Sequence, residues 1–280
     1  MTPLLSVVVA NYNYGRFIET AIQSVLDQNN HDVELIVVDG GSTDDSVSII
    51  RQYASRIAWW CSEKDGGQSN AFNKGFSHAK GKYLTWLNAD DVFFPGAIKR
   101  ICTACKNNPQ CEWFAGGCCW LDPDLRIIRC SRGRPFSLMR AAAGDIQVYA
   151  PSSVFARSLF QRFGGYVDEQ CNYVMDIELW NRFYYKGGVK YVPLQGYNWG
   201  LRLHPEAKMS GHNFKESPLS DLSHPVRRIR EEEYLRVMSQ YAMCEMNRMK
   251  YALSISPLMS IVSRLDTLRF RGKFYKEVFK

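Results

Sequence analysis

Residues 83–91 read Tyr83-Leu84-Thr85-Trp86-Leu87-Asn88-Ala89-Asp90-Asp91. The first five are mostly apolar and predict a buried strand, which stops in two adjacent carboxylates. Open α/β sheets bind ligands at the carboxyl ends of their strands. Neighbouring carboxylates there need a positive partner, and a hard divalent cation carrying phosphate oxygens is a common one. The alternative is that both Asp residues only cap a turn or helix start, and this stretch alone does not decide between the two.

The residues before this stretch alternate between apolar β-branched runs and segments with helical spacing. Strands are predicted at 4–10, 33–38 and 57–61, and helices at 17–28, from a cap at Ser42 or Thr43 to about 53, and at 69–79. This alternation predicts a parallel α/β sheet with right-handed crossovers over the first hundred residues. Each strand ends in a polar residue, namely Asn11, Asp39, Asp65 and Asp90. Their convergence would form a ligand crevice.

Composition and charge narrow the class of protein. The 280 residues are 46% hydrophobic, as in a folded globular chain. Neither a signal peptide nor an 18-residue apolar run is recognisable, which predicts a cytoplasmic protein without a spanning helix. The formal net charge is +7, but residues 201–280 hold 15 Lys and Arg against 9 Asp and Glu. The remaining body is nearly neutral, which argues against a nucleic-acid binder.

The nine cysteines raise a question of metal binding. Cys102 and Cys105 have zinc-ligand spacing, but the nearest partners, Cys118 and Cys119, are adjacent on a predicted strand. Adjacent strand residues point to opposite faces of a sheet. The sequence therefore favours buried, reduced thiols over a structural zinc.

A dinucleotide-binding Rossmann domain is the obvious competitor for the first hundred residues. It needs G-x-G-x-x-G directly after the first strand, so that backbone can approach a pyrophosphate. Residues 10–15 here read Ala-Asn-Tyr-Asn-Tyr-Gly. The Rossmann interpretation lacks its most necessary feature.

Four motifs, taken together, resemble a known family. They are Val-Val-Val-Ala-Asn-Tyr-Asn at 7–13, Val-Val-Asp-Gly-Gly-Ser-Thr-Asp at 37–44, Asn-Lys-Gly at 73–75 and Leu-Asn-Ala-Asp-Asp at 87–91. Their order and spacing resemble an inverting family 2 glycosyltransferase of the GT-A fold. The resemblance is dense from residue 4 to about 100 and thinner to about 205. It implies an α/β fold with a mostly parallel central sheet flanked by helices.

The resemblance implies a role for several residues at the strand ends. The donor nucleotide would be bound by Asn11 and Tyr12 in the base pocket, Asp39 on the base or ribose, and Gln68 and Lys74 along the ribose and diphosphate. The family's commonest base is uridine, which implies a UDP-sugar donor.

The segment 88–91 occupies the DXD position, where the family binds Mn²⁺ or Mg²⁺ bridging the two phosphates. This sequence departs from the family pattern because Asn88 replaces the first acidic residue. A neutral amide suits a hydroxyl better than a metal. The resemblance therefore assigns the metal to Asp90 or Asp91, and the choice between them stays open. Oxygen ligands suit such hard cations.

The middle third is expected to carry the acceptor side. The pattern predicts a strand at 113–121, a loop at 129–143 and a helix at 175–183. Asp176 and Glu178 lie two positions apart on that helix, so they cannot face the same cleft. In the family, the carboxylate at the position of Asp176 is the catalytic base. The alternative is that both acidic residues only favour the first turn through the helix dipole.

Residues at the end of the last predicted strand and just after it are further candidates for the site. Related enzymes place an Arg-x-His sequence and a following Ser/Lys pair against the metal or the phosphates. Arg202, His204, Lys208 and Ser210 resemble that arrangement, so His204 is a candidate metal ligand. The alternative is a surface or partly buried histidine without such a role.

The chain is expected to divide at residue 212. Residues 1–212 would form the glycosyltransferase domain, with a nucleotide-sugar half at 1–100 and an acceptor half at 101–212. Residues 213–224 are predicted to be a linker, and residues 224–251 a helix. An apolar face and basic residues at 257–280 suit a helix on an anionic membrane surface. A helix docked on its own domain or on a partner subunit would also need an apolar face.

Together these features predict a metal-dependent inverting glycosyltransferase acting in polysaccharide or glycoconjugate synthesis. Its partners would be a nucleotide-sugar and a hydroxyl acceptor such as a sugar, a glycan or a lipid-linked glycan. The rivals are a nucleotidyltransferase, which would want a basic Gly-rich loop after the first strand, and a catalytically silent nucleotide-sugar-binding subunit.

Overall fold

The computed structural model describes residues 2–137, 148–208, 225–241 and 268–278. Within these ranges one mixed sheet of nine strands forms the centre, and helices pack on it. Its main path runs β3-β2-β1-β4-β8-β6-β9-β5, and β7 pairs with β6 outside that path.

The amino-terminal half is the predicted parallel α/β unit. Its elements are β1 (Leu5–Asn11), α1 (Gly15–Leu26), β2 (Val33–Asp39), α2 (Ser46–Gln52), β3 (Trp59–Ser62), α3 (Gln68–His78) and β4 (Tyr83–Asn88). Strands β3, β2, β1 and β4 are parallel neighbours. All seven residues of β1 are buried because the strand lies inside the sheet, which explains its continuous apolar run.

The register of these strands brings their polar ends level. Asn11 pairs with Asp39, Ala10 pairs with Asn88, and Asp39 pairs with Ser62. The carboxyl ends therefore form one edge, as the sequence predicted. Helix α3 lies close to the sheet, since a Cβ at Gly75 would stand 2.2 Å from Val8 Cγ1.

The second half adds mostly antiparallel strands beside β4. Its elements are β5 (Val92–Phe93), α4 (Ala97–Asn107), β6 (Trp113–Leu121), β7 (Ile127–Ser131), β8 (Ser153–Ala156), α5 (Arg157–Arg162), α6 (Met175–Asn181) and β9 (Val192–Arg202). Strand β9 runs parallel to β6 and antiparallel to β5. Its last residue, Arg202, therefore arrives beside the end of β4.

Three details differ from the sequence prediction. Helix α2 begins at Ser46 without a cap from Ser42 or Thr43, because the Ser42 hydroxyl donates to Asp39 instead. Residues 127–131 form β7 where a loop was predicted from 129, since they pair with β6. The helix predicted to 183 is α-helical only to Asn181 and continues as a π-helical turn over Arg182–Lys186.

The cysteines in question lie in apolar surroundings. Cys102, Cys105 and Cys118 belong to the main hydrophobic core, while Cys119 belongs to a second core on the other face. Burial raises the pKa of Cys102 to about 11. These are the buried thiols that the sequence favoured.

The predicted tail packs on the domain wherever the structure describes it. Helix α7 (Pro225–Tyr241) lies against α6, and α8 (Tyr275–Val278) ends the described chain. Tyr275 is buried in the second core, 5.3 Å from the Phe94 ring, and Gly272 donates its N–H to the Ile127 carbonyl. The end of the tail thus docks on its own domain, one of the two predicted alternatives.

The remaining expectations for the tail fall outside the described residues. These include the linker at 213–224, the helix beyond Tyr241, and most of the apolar face at 257–267. The boundary at 212 is itself among them and stays a prediction. No helix in the described ranges is both long enough and apolar enough to span a bilayer.

A buried ion pair joins α6 to its surroundings. Glu178 receives the Arg182 guanidinium through both carboxylate oxygens, and the Tyr241 hydroxyl donates to Glu178 Oε1 at 2.8 Å. Arg182 also donates to the Phe163 carbonyl at 2.8 Å. Glu178 is therefore turned away from any cleft and into the protein.

We expect Glu178→Gln to lower the free energy of unfolding by about 3–5 kcal/mol, because it leaves the Arg182 charge buried without a counterion. Urea denaturation followed by circular dichroism measures the change. Glu232→Gln is the matched control, since it breaks an exposed pair with Arg228 and should alter stability little. Equal stability of the two variants would contradict the structural role of Glu178.

Candidate active site

Asp39 organises the loops that follow the first three strands. Its carboxylate accepts the Asn11 side-chain amide at 2.6 Å, the Ser42 hydroxyl at 2.5 Å and backbone N–H at 2.9 Å, and the Ser62 hydroxyl at 2.6 Å. The side chain is fully buried. Its predicted contact with a base or ribose stays a prediction, and its present role is to hold Asn11 at the edge.

Two residues at the end of β1, near Asp39, present groups that a ligand could contact. Tyr12, directly after β1, is 60% exposed, so its ring is free to stack on a planar ligand. Asn11 Oδ1 is buried and finds no hydrogen-bond partner among the described residues. Both features suit the base pocket predicted for this pair.

Asn88 and Asp91 form a hydrogen-bonded row at the end of β4. Asn88 receives the Gln68 amide at 2.7 Å and donates to Asp91 Oδ2 at 2.9 Å. The Arg202 backbone N–H donates to Asp91 Oδ1 at 3.1 Å. Burial and the adjacent Asp90 charge raise the pKa of Asp91 well above its usual range. Asp91 therefore fastens the end of β4 to the end of β9.

Asp90 is the carboxylate that suits a ligand. His204 Nε2 lies 3.1 Å from Asp90 Oδ2, and the imidazole packs 4.3 Å from the Phe17 ring. His204 Nδ1 is buried with no hydrogen-bond partner in the described ranges. Asp91 has both oxygens engaged internally, whereas His204 lies against one oxygen of Asp90. Which of the two carboxylates binds a metal stays a prediction.

The donor set at Asp90 fits a metal that arrives with its substrate. In the part of the chain that the structure describes, no three His, Cys, Asp or Glu side chains form a metal-binding group. Asp90 and His204 supply one carboxylate and one imidazole at 3.1 Å from each other. Mg²⁺-type cations often take one or two carboxylates and fill the remaining positions with phosphate oxygens and water.

Arg202 adds positive charge beneath this pair. Its guanidinium packs over the Phe17 ring at 4.9 Å and is almost fully buried. Among the described residues Nε and Nη2 find no hydrogen-bond partner. Burial lowers the pKa of Arg202, while Asp90 and Asp91 oppose that effect. Unpaired buried donors beside two carboxylates are suited to an anionic ligand.

Lys74 and Lys208, the two lysines predicted for the site, make their contacts in different parts of the fold. Lys74 on α3 donates to Glu63 Oε1 at 2.8 Å, beyond the end of β3. Lys208 donates to Gln68 Oε1 at 3.0 Å and to the Asn172 carbonyl at 2.5 Å. Burial lowers the pKa of Lys208 to about 8. Lys208 thus joins Gln68, the first residue of α3, to the segment before α6. Ser210 lies outside the described residues.

Asp176 occupies the first turn of α6. Its carboxylate accepts the Ile177 N–H at 2.9 Å. Burial raises its pKa, and the charges of Arg230 and Lys208 partly offset that rise. A carboxylate with a raised pKa is a better proton acceptor than an ordinary Asp. Glu178 faces the opposite way, as their spacing predicted.

Sequence reasoning missed the residues that hold the segment before Asp176. They are Asn172, whose carbonyl receives Lys208, and Glu233 on α7, whose carboxylate accepts the N–H groups of Asn172 and Tyr173. Glu233 lies about sixty positions further along the chain, so no local motif could connect it with Asp176.

Comparison with known families and relatives finds partial matches to glycosyltransferases. Residues 6–136 match the family model for glycosyl transferase family 2. An uncharacterized glycosyltransferase of Nostoc sp. is 41% identical over 100 residues, which cover 35% of this chain and 31% of the relative. One from Mycobacterium tuberculosis is 33% identical over 167 residues, covering 59% and 63%. The chain spans less than two thirds of the length of these relatives.

Solved structures support the fold. Staphylococcus aureus TarS 1–349 superposes with a TM-score of 0.58 at 16% identity, covering 95% of this chain and 80% of TarS. The mannosyltransferase PcManGT from Pyrobaculum calidifontis, in complex with GDP-Man and Mn²⁺, gives 0.54 at 16% identity, covering 96% and 81%. At this identity the likeness concerns the fold alone. Residues 6–136, just under half of the chain, thus resemble glycosyl transferase family 2, and the fold is that of the GT-A glycosyltransferases.

Proposed function

We propose that the chain transfers a sugar from a nucleotide-sugar to an acceptor hydroxyl with inversion at the anomeric carbon. The carrying observation is that one row of hydrogen bonds connects Asp91, next to the candidate metal ligand Asp90, with the segment preceding Asp176. The row runs from Asp91 through Asn88, Gln68 and Lys208 to Asn172, four residues before Asp176.

In this proposal the two ends do different chemistry. Asp176 takes the proton of the acceptor hydroxyl while the hydroxyl oxygen attacks the anomeric carbon of the donor sugar. The sugar–phosphate bond breaks in the same step, and the nucleoside diphosphate leaves. A single displacement of this kind inverts the configuration and needs no enzyme nucleophile.

The donor would lie along the edge formed by β1, β2 and β4. Tyr12 and Asn11 would contact the base, while Gln68 and Asn88 would contact the ribose or sugar. Arg202 and Lys208 would face the diphosphate. Asp90 and His204 would hold a divalent cation, which when bound supplies positive charge to the leaving diphosphate. The TarS structures with UDP and UDP-GlcNAc, and PcManGT with GDP-Man and Mn²⁺, support a nucleotide-sugar donor.

We predict that UDP binding requires Mn²⁺ and is lost in Asp90→Ala without a fall in stability. Asp91→Ala should lower both UDP affinity and stability, because Asp91 fastens β4 to β9. Isothermal titration calorimetry with and without a chelator, together with thermal unfolding, measures the two effects. Wild-type affinity for UDP and GDP that chelation leaves unchanged would remove the metal from the mechanism.

We predict that Asp176→Asn keeps Mn²⁺-dependent UDP binding but lowers the transfer rate by about 10²–10⁴-fold. In the wild type, kcat/KM should fall as pH falls, because protonation removes the base. This fall should begin above the ordinary Asp pKa of about 3.9, since burial raises the pKa of Asp176.

Glu178→Gln is the control for this substitution, and its transfer rate per folded molecule should stay closer to wild type. The base assignment is wrong if Glu178→Gln is the more damaging change by that measure. A screen of nucleotide-sugars for donor hydrolysis also separates a transferase from a catalytically silent binding subunit, which would bind donors without turnover.

Peripheral association with an anionic membrane is part of the proposal. Its support is a patch of exposed basic side chains on the docked tail beside Leu268, which is 74% exposed. The patch consists of Arg269, Arg271, Lys273 and Lys276. Basic residues next to exposed apolar groups favour anionic lipid surfaces.

We predict that replacing the four basic residues of this patch with Gln reduces co-sedimentation with phosphatidylserine vesicles, while the same replacement at Arg51, Lys80, Lys99 and Lys190 changes it little. Binding should weaken with salt, since screening shortens the field to about 8 Å at 0.15 M. If the wild type ignores these vesicles at low salt, the membrane proposal fails.

A further inference from the structure

Helix α7 contacts the backbone N–H groups just before Asp176 through the bidentate side chain of Glu233. Glu233 Oε1 accepts the Asn172 N–H at 2.9 Å, and Oε2 accepts the Tyr173 N–H at 2.7 Å. Charge-assisted bonds from one carboxylate to two successive amides fix both the position and the direction of a peptide.

The start of α6 needs such support from outside. The helix has only seven residues, and no described side chain caps its amino terminus at Val174. A short uncapped helix is marginal by itself, so its direction depends on neighbouring contacts. Asp176 sits in that first turn, and its orientation therefore depends on the preceding segment.

Other contacts of the same segment show that it is held from two sides. From α7, Arg236 donates to the Gln170 carbonyl at 3.0 Å. From the donor side, Lys208 donates to the Asn172 carbonyl at 2.5 Å. The peptide units of Asn172 therefore meet Glu233 through N–H and Lys208 through C=O. Glu233 also acts electrostatically on Lys208, favouring its charged form.

We propose that Glu233 is a positioning residue, which fixes segment 170–174 from α7 and thereby sets where Asp176 stands relative to the donor edge. This inference rests on the proposed transferase function for its catalytic consequence. It assigns helix α7 to the working site, although α7 lies beyond the residues that match the family model.

The first test measures the contact without using activity. In full-length protein, Glu233→Gln should speed amide hydrogen exchange in peptides covering 170–178, because a Gln side chain offers one acceptor oxygen for two N–H groups. Glu231→Gln is the control, with the same charge change at an exposed position of α7. Exchange that matches wild type in the Glu233 variant would overturn the contact.

The second test separates positioning from general stability. Glu233→Gln should lower kcat for transfer by about 10- to 100-fold, the range expected for small misplacements of a reacting group. Its affinity for UDP with Mn²⁺ should stay within about twofold of wild type. Unchanged kcat, or a parallel loss of UDP affinity and thermal stability, would overturn positioning. A wild type without any donor turnover would instead overturn the transferase function, and the exchange result would still stand.

A second α7 variant provides a readout that a purely structural role would not change. Arg230 and Lys208 are the charged side chains that favour the ionised form of Asp176. Arg230→Gln should therefore raise the pKa of the base and move the acid limb of the kcat/KM profile to higher pH. High salt should shrink the shift, because Arg230 is exposed. A profile identical to wild type at low salt would contradict the placement of α7 beside Asp176.

Discussion

The stack of Trp86 on Trp180 is the contact on which the two halves of the site depend. The rings lie 5.4 Å apart and almost parallel, at 6°, and both are buried. Trp86 belongs to β4, which ends at Asn88, and Trp180 belongs to α6, which begins beside Asp176. Trp113 of β6 also stacks on Trp180, with ring centroids 5.4 Å apart. Because aromatic packing of this size is rigid, the donor edge and the candidate base are held at a fixed separation.

Around this core the carboxylates divide into those with several internal hydrogen-bond donors and those with few. Asp39, Asp91 and Glu178 are buried and engaged by neighbouring donors, so each carboxyl group holds elements of the fold together. Asp90 and Asp176 have fewer internal partners. Carboxylates that are adjacent in sequence, or two positions apart, thus take opposite roles because the sheet edge and the helix turn them in opposite directions. The distinction between fastening and reacting groups is one of environment, not residue type.

The sequence predicted the parallel half well because its information is local. Continuous apolar runs marked β1, β2 and β4, and the polar residues after them converged as expected. It failed where a side chain or a segment pairs with a partner that the local pattern does not indicate. Ser42 bonds Asp39 and so does not cap α2, while residues 127–131 become β7 only because β6 lies beside them. The role of Glu233 could not be predicted at all, since its partners are backbone N–H groups about sixty residues away, and such contacts leave no pattern in the sequence.

Lys208 connects Gln68, which the sequence predicted for the site, with Asn172, which it did not. Its ammonium bridges Gln68 of the donor edge and Asn172 of the acceptor segment, and burial holds its pKa at about 8. The nearby Glu233 and Asp176 partly oppose this lowering of the Lys208 pKa. An anionic donor entering beside Gln68 would compete for the same ammonium with the Asn172 carbonyl. Any movement of Lys208 toward that donor would leave Glu233 as the group holding the Asn172 peptide. In the proposed mechanism the carboxylate on α7 would then keep the segment before Asp176 in place.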